Sequence, residues 1–317
     1  MAAGGTTAPR GVRTMRVGRV GVDLGGTKIE AIAMVEGEIA ARSRVATPHG
    51  DYDGTIRRIV EVVDEVTGEA GLESSTPVGV GTPGSVDRRD GMHRNSNSTC
   101  LNGRPFEGDL ARALGRPLRT ANDADCFALS EAVDGAGSGG RVVFGVILGT
   151  GVGGGVVIDG RVHEGRNGIG GEWGHIGLPL RGDRSIAPRP CYCGNVDCLE
   201  QYLSGPAIER EYRDVTGREA SLTDFAEDTD EASISVLDRL VDRLAESLVS
   251  VVDVLDPDVI VLGGGVSNVE RLYRDVPPLL HRRAFGGAVD TPVLRNRHGD
   301  SSGVRGAAWL WPDPASG

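Results

Sequence analysis

Apolar residues along this chain occur in short runs of two kinds. Continuous apolar stretches have the length of buried strands, and they lie at 17–22, 29–35, 78–81, 142–148, 156–158 and 259–262. Stretches with apolar residues three and four apart predict helices at 56–66, 106–114, 124–133, 234–255 and 303–311. Strands that alternate with helices in this way are typical of an α/β fold.

Three of the predicted strands end in glycine-rich turns. Glycine lets backbone N–H groups approach anionic oxygens closely, so the turns predict a nucleotide cleft. The candidate phosphate-binding residues are Asp23, Gly25, Gly26, Thr27, Lys28, Gly149, Thr150, Gly151, Gly264 and Gly265. A strand, a glycine turn and a second strand occur at both 17–35 and 142–158, which indicates two related lobes. A dinucleotide oxidoreductase is excluded, because no Gly-x-Gly-x-x-Gly opens a helix after the first strand.

Two charged residues of the first turn suit phosphate chemistry. Lys28 is the one lysine among 34 basic residues. An ammonium is a compact point charge that can sit against a phosphate where a guanidinium fork fits differently. Asp23, at the end of the first strand, could hold Mg²⁺ through water.

Asn122 and Asp123 precede a predicted helix and permit two interpretations. Both residue types are favoured at helix N-caps. Asp123 could also accept the proton of a hydroxyl that attacks phosphorus, the part a catalytic aspartate has in phosphoryl transfer. The two interpretations are compatible, since capping uses one oxygen.

A tetrahedral metal site is indicated by His175, Cys191, Cys193 and Cys198. Three thiolates and one imidazole satisfy Zn²⁺ with no open position, so the site would be structural. The alternatives are a histidine among reduced cysteines, or a disulfide between two of them. Near this site Glu172 and Glu200 could bind sugar hydroxyls, as could the amides of the polar stretch at 95–103.

Composition restricts the partners and the compartment. The net charge of −11 argues against a nucleic-acid partner, and no apolar run reaches the length of a membrane span. Residues 1–14 lack the apolar core of a secretory signal and are predicted to be a disordered tail, with Met15 a possible start. Five cysteines, an odd number, fit a reducing compartment, so a cytoplasmic location is expected.

Together the motifs resemble the ROK family of bacterial sugar kinases over about residues 15–311. The segments that carry the resemblance are DLGGTK, GTPGSVD, NDADCFALSEA, LGTGVGGG, GEWGH with the CYC…C knuckle, and LGGGVS. RNSNSTCLNGRPF and HGDSSGVRGAAWLWP are similar to the fructokinase/mannokinase branch. The resemblance implies a two-lobed, actin-like (ribonuclease H-like) ATPase fold, with ATP, Mg²⁺ and a structural Zn²⁺, and commonly a homodimer.

The resemblance also implies a division of the chain and roles for its residues. Residues 15–133 with 300–313 would form a smaller lobe and 134–299 a larger one, with the boundary near 134–141. Asp123 would be the general base of a hexose 6-kinase. The sugar would be bound by Asn97, Asn122, Asp123, Glu172, His175 and Glu200. Residues Gly264 and Gly265 would approach the adenosine.

Fructose is the sugar expected from the branch, with two kinds of alternative. One is a glucokinase or an N-acetylhexosamine kinase on the same scaffold. The other is a non-catalytic sugar sensor, although the DNA-binding helices of family repressors have no counterpart here. Two departures concern the sites: Asp197 replaces the second glycine of the family's knuckle, and Cys100 stands where the branch often has tryptophan. Asp is among the residues that tolerate positive φ.

Overall fold

The structure is a computed structural model that describes residues 18–96, 98–179 and 187–312. The predicted tail at 1–14 and the candidate sugar ligand Asn97 lie outside the described residues.

The first half of the chain builds a five-stranded sheet with helices against it. Its elements are β1 (Gly18–Leu24), β2 (Lys28–Val35), β3 (Glu38–Ala46), α1 (Tyr52–Glu69), β4 (Val78–Thr82), β5 (Ser85–Val86), β6 (His93–Arg94), α2 (Phe106–Leu114), β7 (Leu118–Asn122) and α3 (Asp123–Val133). The main sheet has the order β3-β2-β1-β4-β7, and β5 pairs with β6 alone.

The second half builds another five-stranded sheet and the longer helices. Its elements are β8 (Val142–Leu148), β9 (Val152–Ile158), β10 (Arg161–Val162), α4 (Glu200–Leu203), α5 (Gly205–Thr216), α6 (Leu222–Phe225), α7 (Glu231–Leu255), β11 (Val259–Gly263), α8 (Arg271–Arg283), β12 (Val293–Arg295) and α9 (Ser302–Trp309). The sheet order is β10-β9-β8-β11-β12.

The two sheets repeat one strand arrangement. In the first, β1 pairs antiparallel with β2 and parallel with β4. In the second, β8 pairs antiparallel with β9 and parallel with β11. Each central strand is therefore followed by a tight turn at its carboxyl end, and it is these turns that contain the glycines.

Local sequence explains where the main helices begin and end. Asp51 caps α1 by accepting a hydrogen bond from the Gly54 N–H, and Asp230 caps α7 through the N–H groups of Ala232 and Ser233. Helix α2 ends at Gly115, whose φ of 62° is left-handed. The apolar faces of α1 and α7 pack into separate cores, one on each sheet.

Helices α3 and α9 connect the two halves. Phe127 and Ala128 of α3 share a core with Val143 and Val261 of the second sheet. Helix α9 instead packs on the first sheet, where Val304 and Ala308 meet Ile32 and Met34. The chain thus returns to its first sheet at its last helix.

Strand β9 begins earlier than the apolar pattern predicts. It starts at Val152, so Gly153, Gly154 and Gly155 belong to the strand and the turn is limited to residues 149–151. A Cβ on Gly155 would lie 2.5 Å from the carbonyl oxygen of Ala124. Gly153 and Gly155 face α3, whereas a Cβ on Gly154 would meet the Gly171 carbonyl and Trp173 on the other face of the strand. Close neighbours on both faces therefore require glycine, and this hides the strand signal in the sequence.

No helix in the described part of the chain has both the length and the apolar character required to cross a membrane.

Candidate active site

The first glycine turn joins β1 to β2 and is held by backbone bonds. Gly25 N–H donates to the carbonyl of Lys28 at 2.9 Å, and the Thr47 hydroxyl donates to the carbonyl of Gly25 at 2.8 Å. Gly26 and Thr27 are exposed at the tip. We call residues 25–27 loop 1.

The buried carboxylate of Glu30 forms ion pairs with the positively charged side chains beside loop 1. Glu30 is fully buried, and its oxygens lie 3.6 Å from Lys28 Nζ, 3.3 Å from Arg42 and 2.7 Å from Arg44. Three cations around one anion leave a net positive charge beside the turn. Sequence reasoning missed Glu30, although Lys28 and Glu30 lie on one face of β2 and the Arg42–Arg44 alternation on β3 matches it.

Asp23 is paired in register with Glu30 across β1 and β2. Burial, followed by the negative charge of Asp123, raises the pKa of Asp23 to about 6, while Lys28 acts in the opposite direction. Gly303 at the start of α9 lies against this carboxyl group: a Cβ there would be 3.6 Å from it. Asp23 and Asp123 therefore approach each other although 100 residues separate them in the sequence.

The second glycine turn, residues 149–151, is called loop 2 and joins β8 to β9. Gly149 N–H donates to the carbonyl of Gly151, and Gly205 N–H donates to that of Gly149. Glu200 Oε2 accepts the N–H of Val152 at 3.1 Å and lies 2.6 Å from where a Gly151 Cβ would be. A predicted sugar ligand is thus in direct contact with a predicted phosphate loop.

The third turn follows β11 and packs beside loop 2. Gly264 has φ of 81°, and a Cβ there would lie 2.4 Å from the carbonyl oxygen of Leu148. The Ser267 hydroxyl donates to the carbonyl of Gly264 at 2.6 Å. Gly265 begins a short 3-10 helix, and both glycines are exposed.

The two predicted roles were helix N-cap and proton acceptor, and the structure gives the N-cap role to Asn122. Asn122 is the N-cap of α3: its side chain accepts the Ala124 N–H at 2.8 Å and donates to the Gly84 carbonyl at 3.1 Å. Asp123 has one oxygen 2.8 Å from the same N–H. Its side chain is exposed to the cleft, where desolvation by the surrounding protein raises its pKa; the Ala124 N–H lowers it and the Glu172 charge raises it further.

A second carboxyl group, Asp125, lies two residues farther along α3. It is 6% exposed, and its Oδ1 has no hydrogen-bond partner within the described ranges. Burial, with the charges of Glu172 and Asp123, raises its pKa to about 7. It lines a groove of about 1050 Å³ together with Asn122 and Thr82. Its only signal in the sequence is that an acidic residue stands in the first turn of a predicted helix.

Glu172 and His175 lie on either side of the buried side chain of Trp173. Trp173 packs edge-on against Phe144, with ring centroids 5.9 Å apart, and Gly174 is pressed against the Val152 carbonyl. Trp173 is 5% exposed, which fixes the backbone of this short 3-10 helix and directs its polar neighbours outward. Glu172 is exposed and His175 half-buried.

His175 also belongs to a cluster with the three cysteines of the knuckle, residues 191–198. The ligand atoms of His175, Cys191, Cys193 and Cys198 lie within 4.8 Å of one another. Cys191 Sγ is 3.6 Å from His175 Nδ1, and Cys193 Sγ is 3.6 Å from Cys198 Sγ. Sulfur atoms around tetrahedral zinc are about 3.8 Å apart for Zn–S bonds of about 2.3 Å, so the arrangement fits the ion. All five cysteines are free, which leaves no disulfide.

Asp197 explains how the knuckle tolerates its missing glycine. Its φ is 58°, in the left-handed region. Its Oδ1 accepts the Tyr202 hydroxyl at 2.6 Å and the Arg189 N–H at 2.8 Å. The carboxylate therefore stabilises the turn that a glycine would only permit.

The structure brings several of the predicted residues from both halves together. Electrostatic contacts link Asp23 to Asp123 and Asp123 to Glu172, and a hydrogen bond links Glu200 to loop 2. A profile of the ROK family matches residues 19–314. This chain belongs to the ROK family.

Relatives and solved structures of this family cover nearly the whole chain. The N-acetyl-D-glucosamine kinase of Photobacterium profundum is 41% identical over 298 residues, 92% of this chain and 98% of that protein. The corresponding kinase of Haemophilus influenzae is 40% identical over 303 residues, with the same coverage.

Two crystal structures extend the comparison to the fold. The ROK hexokinase of Thermus thermophilus matches with a TM-score of 0.81 and 33% identity, covering 92% of this chain and 97% of that one. A ROK family glucokinase from Streptomyces griseus, in complex with glucose and AMPPNP, matches with a TM-score of 0.73 and 28% identity over 92% and 98% of the two chains. The predicted actin-like α/β fold is confirmed.

Proposed function

We propose that this ROK protein is an ATP-dependent kinase that phosphorylates the 6-hydroxyl of a hexose, and that its preferred sugar is N-acetyl-D-glucosamine. The observation that carries the kinase proposal is the position of Asp123. This carboxylate is exposed in a cleft beside Asp23 of the loop 1 strand and Glu172 of the opposite half. A general base must lie within reach of both the sugar and the phosphate loops.

In the proposed reaction Asp123 accepts the proton of the sugar's 6-hydroxyl. The oxygen then forms a bond to the γ-phosphorus while the bond to the β-phosphate oxygen breaks, and ADP leaves. The raised pKa of Asp123 makes it a better proton acceptor than an ordinary aspartate. Backbone amides of loops 1 and 2, with the charge of Lys28, stabilise the developing negative charge.

Asp23 would hold Mg²⁺, which when bound neutralises phosphate charge. The carboxylate of Asp23 suits Mg²⁺, because a nearby cation stabilises the charged form of a partly enclosed carboxylate whose pKa is raised.

The choice of sugar rests on the relatives. Kinases of N-acetyl-D-glucosamine at about 40% identity span this chain almost end to end. They support the N-acetylhexosamine alternative better than the fructose expected from the fructokinase-like segments. The glucokinase complex, at 28% identity, is a more distant guide.

The knuckle would bind a structural zinc ion, and the ion would in turn fix the shape of the sugar pocket. Its ligand His175 is also a proposed sugar ligand, so the metal would orient the imidazole that faces the sugar. The ion would have no open coordination position and no part in the chemical step.

A coupled assay of ADP production across a panel of hexoses tests the proposal. We expect turnover with N-acetyl-D-glucosamine at a kcat/KM above those for glucose, mannose and fructose. Fructose as the best substrate would contradict the choice of sugar but not the kinase. Sugar binding without sugar-dependent ATP consumption would support the non-catalytic sensor instead.

A further inference from the structure

Glu30 is a fully buried carboxylate that the proposed mechanism does not use. It lies on β2 two residues after Lys28, so the two side chains are on the same face of the sheet. Asp23 is paired with Glu30 across β1 and β2, and side chains directly opposite each other in an antiparallel pair also share a face. The three groups therefore stand together on the face that carries the proposed Mg²⁺ ligand.

Packing does not require a carboxylate at position 30. The next residues of β2 on this face are Ile32 and Met34, which are buried against Val304 and Ala308 of α9. An apolar side chain would continue that core, whereas a buried carboxylate is stable only beside cations. The charge at position 30 is therefore explained by the cations around it and not by the core.

The three cations beside Glu30 are held differently. Arg44 donates a hydrogen bond to it at 2.7 Å, and Arg42 has a second partner, the Ser301 hydroxyl, at 3.0 Å. Lys28 Nζ lies 3.6 Å from Glu30 Oε2, and Glu30 is its single ion-pair partner in the described part of the chain. At this distance the two charges attract each other without a hydrogen bond, so the N–H donors of Lys28 stay free for another acceptor.

We propose that Glu30 is a positioning residue, which holds the ammonium of Lys28 beside loop 1 and leaves its N–H donors free for the phosphate oxygens. This inference rests on the proposed function, in which Lys28 stabilises the developing negative charge. The flexible four-carbon stem of a lysine otherwise lets the ammonium move widely, and ordering it costs conformational entropy. Arg42 and Arg44 compensate the buried charge, so that Lys28 is attracted without being neutralised.

The test is a double-mutant cycle of Glu30→Gln and Lys28→Met, with Glu211→Gln as the matched control. Glu211 is also a buried carboxylate with three cations around it, but it lies on α5 in the second half of the chain; its partners are Arg189, Arg239 and Arg243. In the wild-type background Glu30→Gln should lower kcat about threefold to tenfold, with the KM for the sugar unchanged. In the Lys28→Met background it should change kcat less than about twofold. Glu211→Gln should change kcat less than about twofold in either background.

Two kinetic results would overturn the inference. One is an equal loss of kcat from Glu30→Gln in both backgrounds, because Glu30 would then act only on the stability of the sheet. The other is a wild-type kcat in Lys28→Met, since the ammonium would then have no part in the reaction that Glu30 could support.

A second measurement decides if Glu30→Gln does not fold, or if the wild type phosphorylates no sugar and the proposed function fails separately. Lys28 is the one lysine of the chain, so reductive ¹³C-methylation labels its side chain and otherwise only the α-amino group. In the wild type without nucleotide, we expect ¹³C relaxation to show that the Lys28 methyl groups are held on the nanosecond timescale. Motion as free as that of dimethyl-lysine in solution would overturn the inference.

Discussion

In the cleft, the negative charge of Asp123 raises the pKa values of both Asp23 and Asp125, while in the knuckle the ligand atoms of His175 and three cysteines lie within 4.8 Å of one another. In the protein alone, the carboxyl groups of the cleft repel one another, and the ligand atoms of the knuckle lack the ion that would bind them. The cleft keeps its carboxyl groups in the folded chain at a cost in stability. The knuckle has a ligand set that a single ion can satisfy. The carboxyl groups of the cleft thus serve the proposed reaction, whereas the ligands of the knuckle serve to stabilise the fold.

The largest effect is expected from Asp123→Asn, which removes the proposed base and keeps the size of the side chain. We expect kcat to fall at least ~100-fold, since asparagine cannot accept the proton. Steady-state kinetics with N-acetyl-D-glucosamine measure this, and zinc content should not change. Turnover near that of the wild type would remove Asp123 from the mechanism.

Cys198→Ser should instead destroy the knuckle. Cys198 is fully buried within the ligand cluster, and a structural zinc ion contributes on the order of 10 kcal/mol to the order of its loop. We expect loss of bound zinc and a lower Tm. The control is Cys100→Ser, in the first half of the chain, which should keep the metal. A zinc content that is equal in both variants would show that the cluster does not bind it.

Gly151→Ala tests the contact between the sugar side of the cleft and loop 2. The new methyl group would push Glu200 off the Val152 N–H, so kcat/KM should fall about tenfold, the order expected for one hydrogen bond to a charged group. Gly108→Ala, in α2 and outside both loops, is the matched control, because no atom lies within 4 Å of a Cβ there. Equal kinetics of the two variants would contradict a role for this contact.

Asp125→Asn tests the cost in stability that the cleft carries. In the folded chain Asp125 keeps its proton up to about pH 7, whereas in the unfolded chain it loses it near its ordinary value of 3.8. Unfolding therefore releases a proton between these values, and the stability of the wild type declines as pH rises through that window.

Asparagine does not titrate, so Asp125→Asn should have a higher Tm than the wild type at pH 8. The difference should shrink toward zero near pH 4. Thermal unfolding of the two proteins across this pH range is the measurement. A variant that is less stable at pH 8 would mean that the ionised carboxylate has a partner in solution.

The sequence predicts regular elements well where the apolar pattern is uninterrupted. The bounds predicted for α2 and β8 match the structure: α2 has one apolar face, and β8 is a continuous apolar run buried on both faces. Helix α7 begins at Glu231, three residues before its first predicted apolar position, since the cap at Asp230 sets the start. The first residues of β9 were not predicted, because close neighbours on both faces of the strand leave room only for glycine at positions 153–155.

The site residues also differ in whether the sequence predicts them. Loops 1 and 2 are visible in sequence because glycine has a backbone reason to be there. Glu30 and Asp125 are not, since their environments come from contacts with distant segments. The charge on Glu30 is balanced by arginines of another strand, and the pKa of Asp125 is raised in part by the charge of Glu172, which lies 47 residues farther along the chain.

The return of α9 to the first sheet has a consequence for biosynthesis. The Cβ positions of Gly21 and Gly79 would clash with the backbone of α9, and Trp311 donates to the Val78 carbonyl at 2.8 Å. While the ribosome is still translating the second half, the nascent first sheet therefore has an apolar groove that stays open until residues 302–311 have been made. Vectorial folding is blocked for this part of the molecule, and a stalled or truncated product would expose a surface that chaperones and proteases recognise.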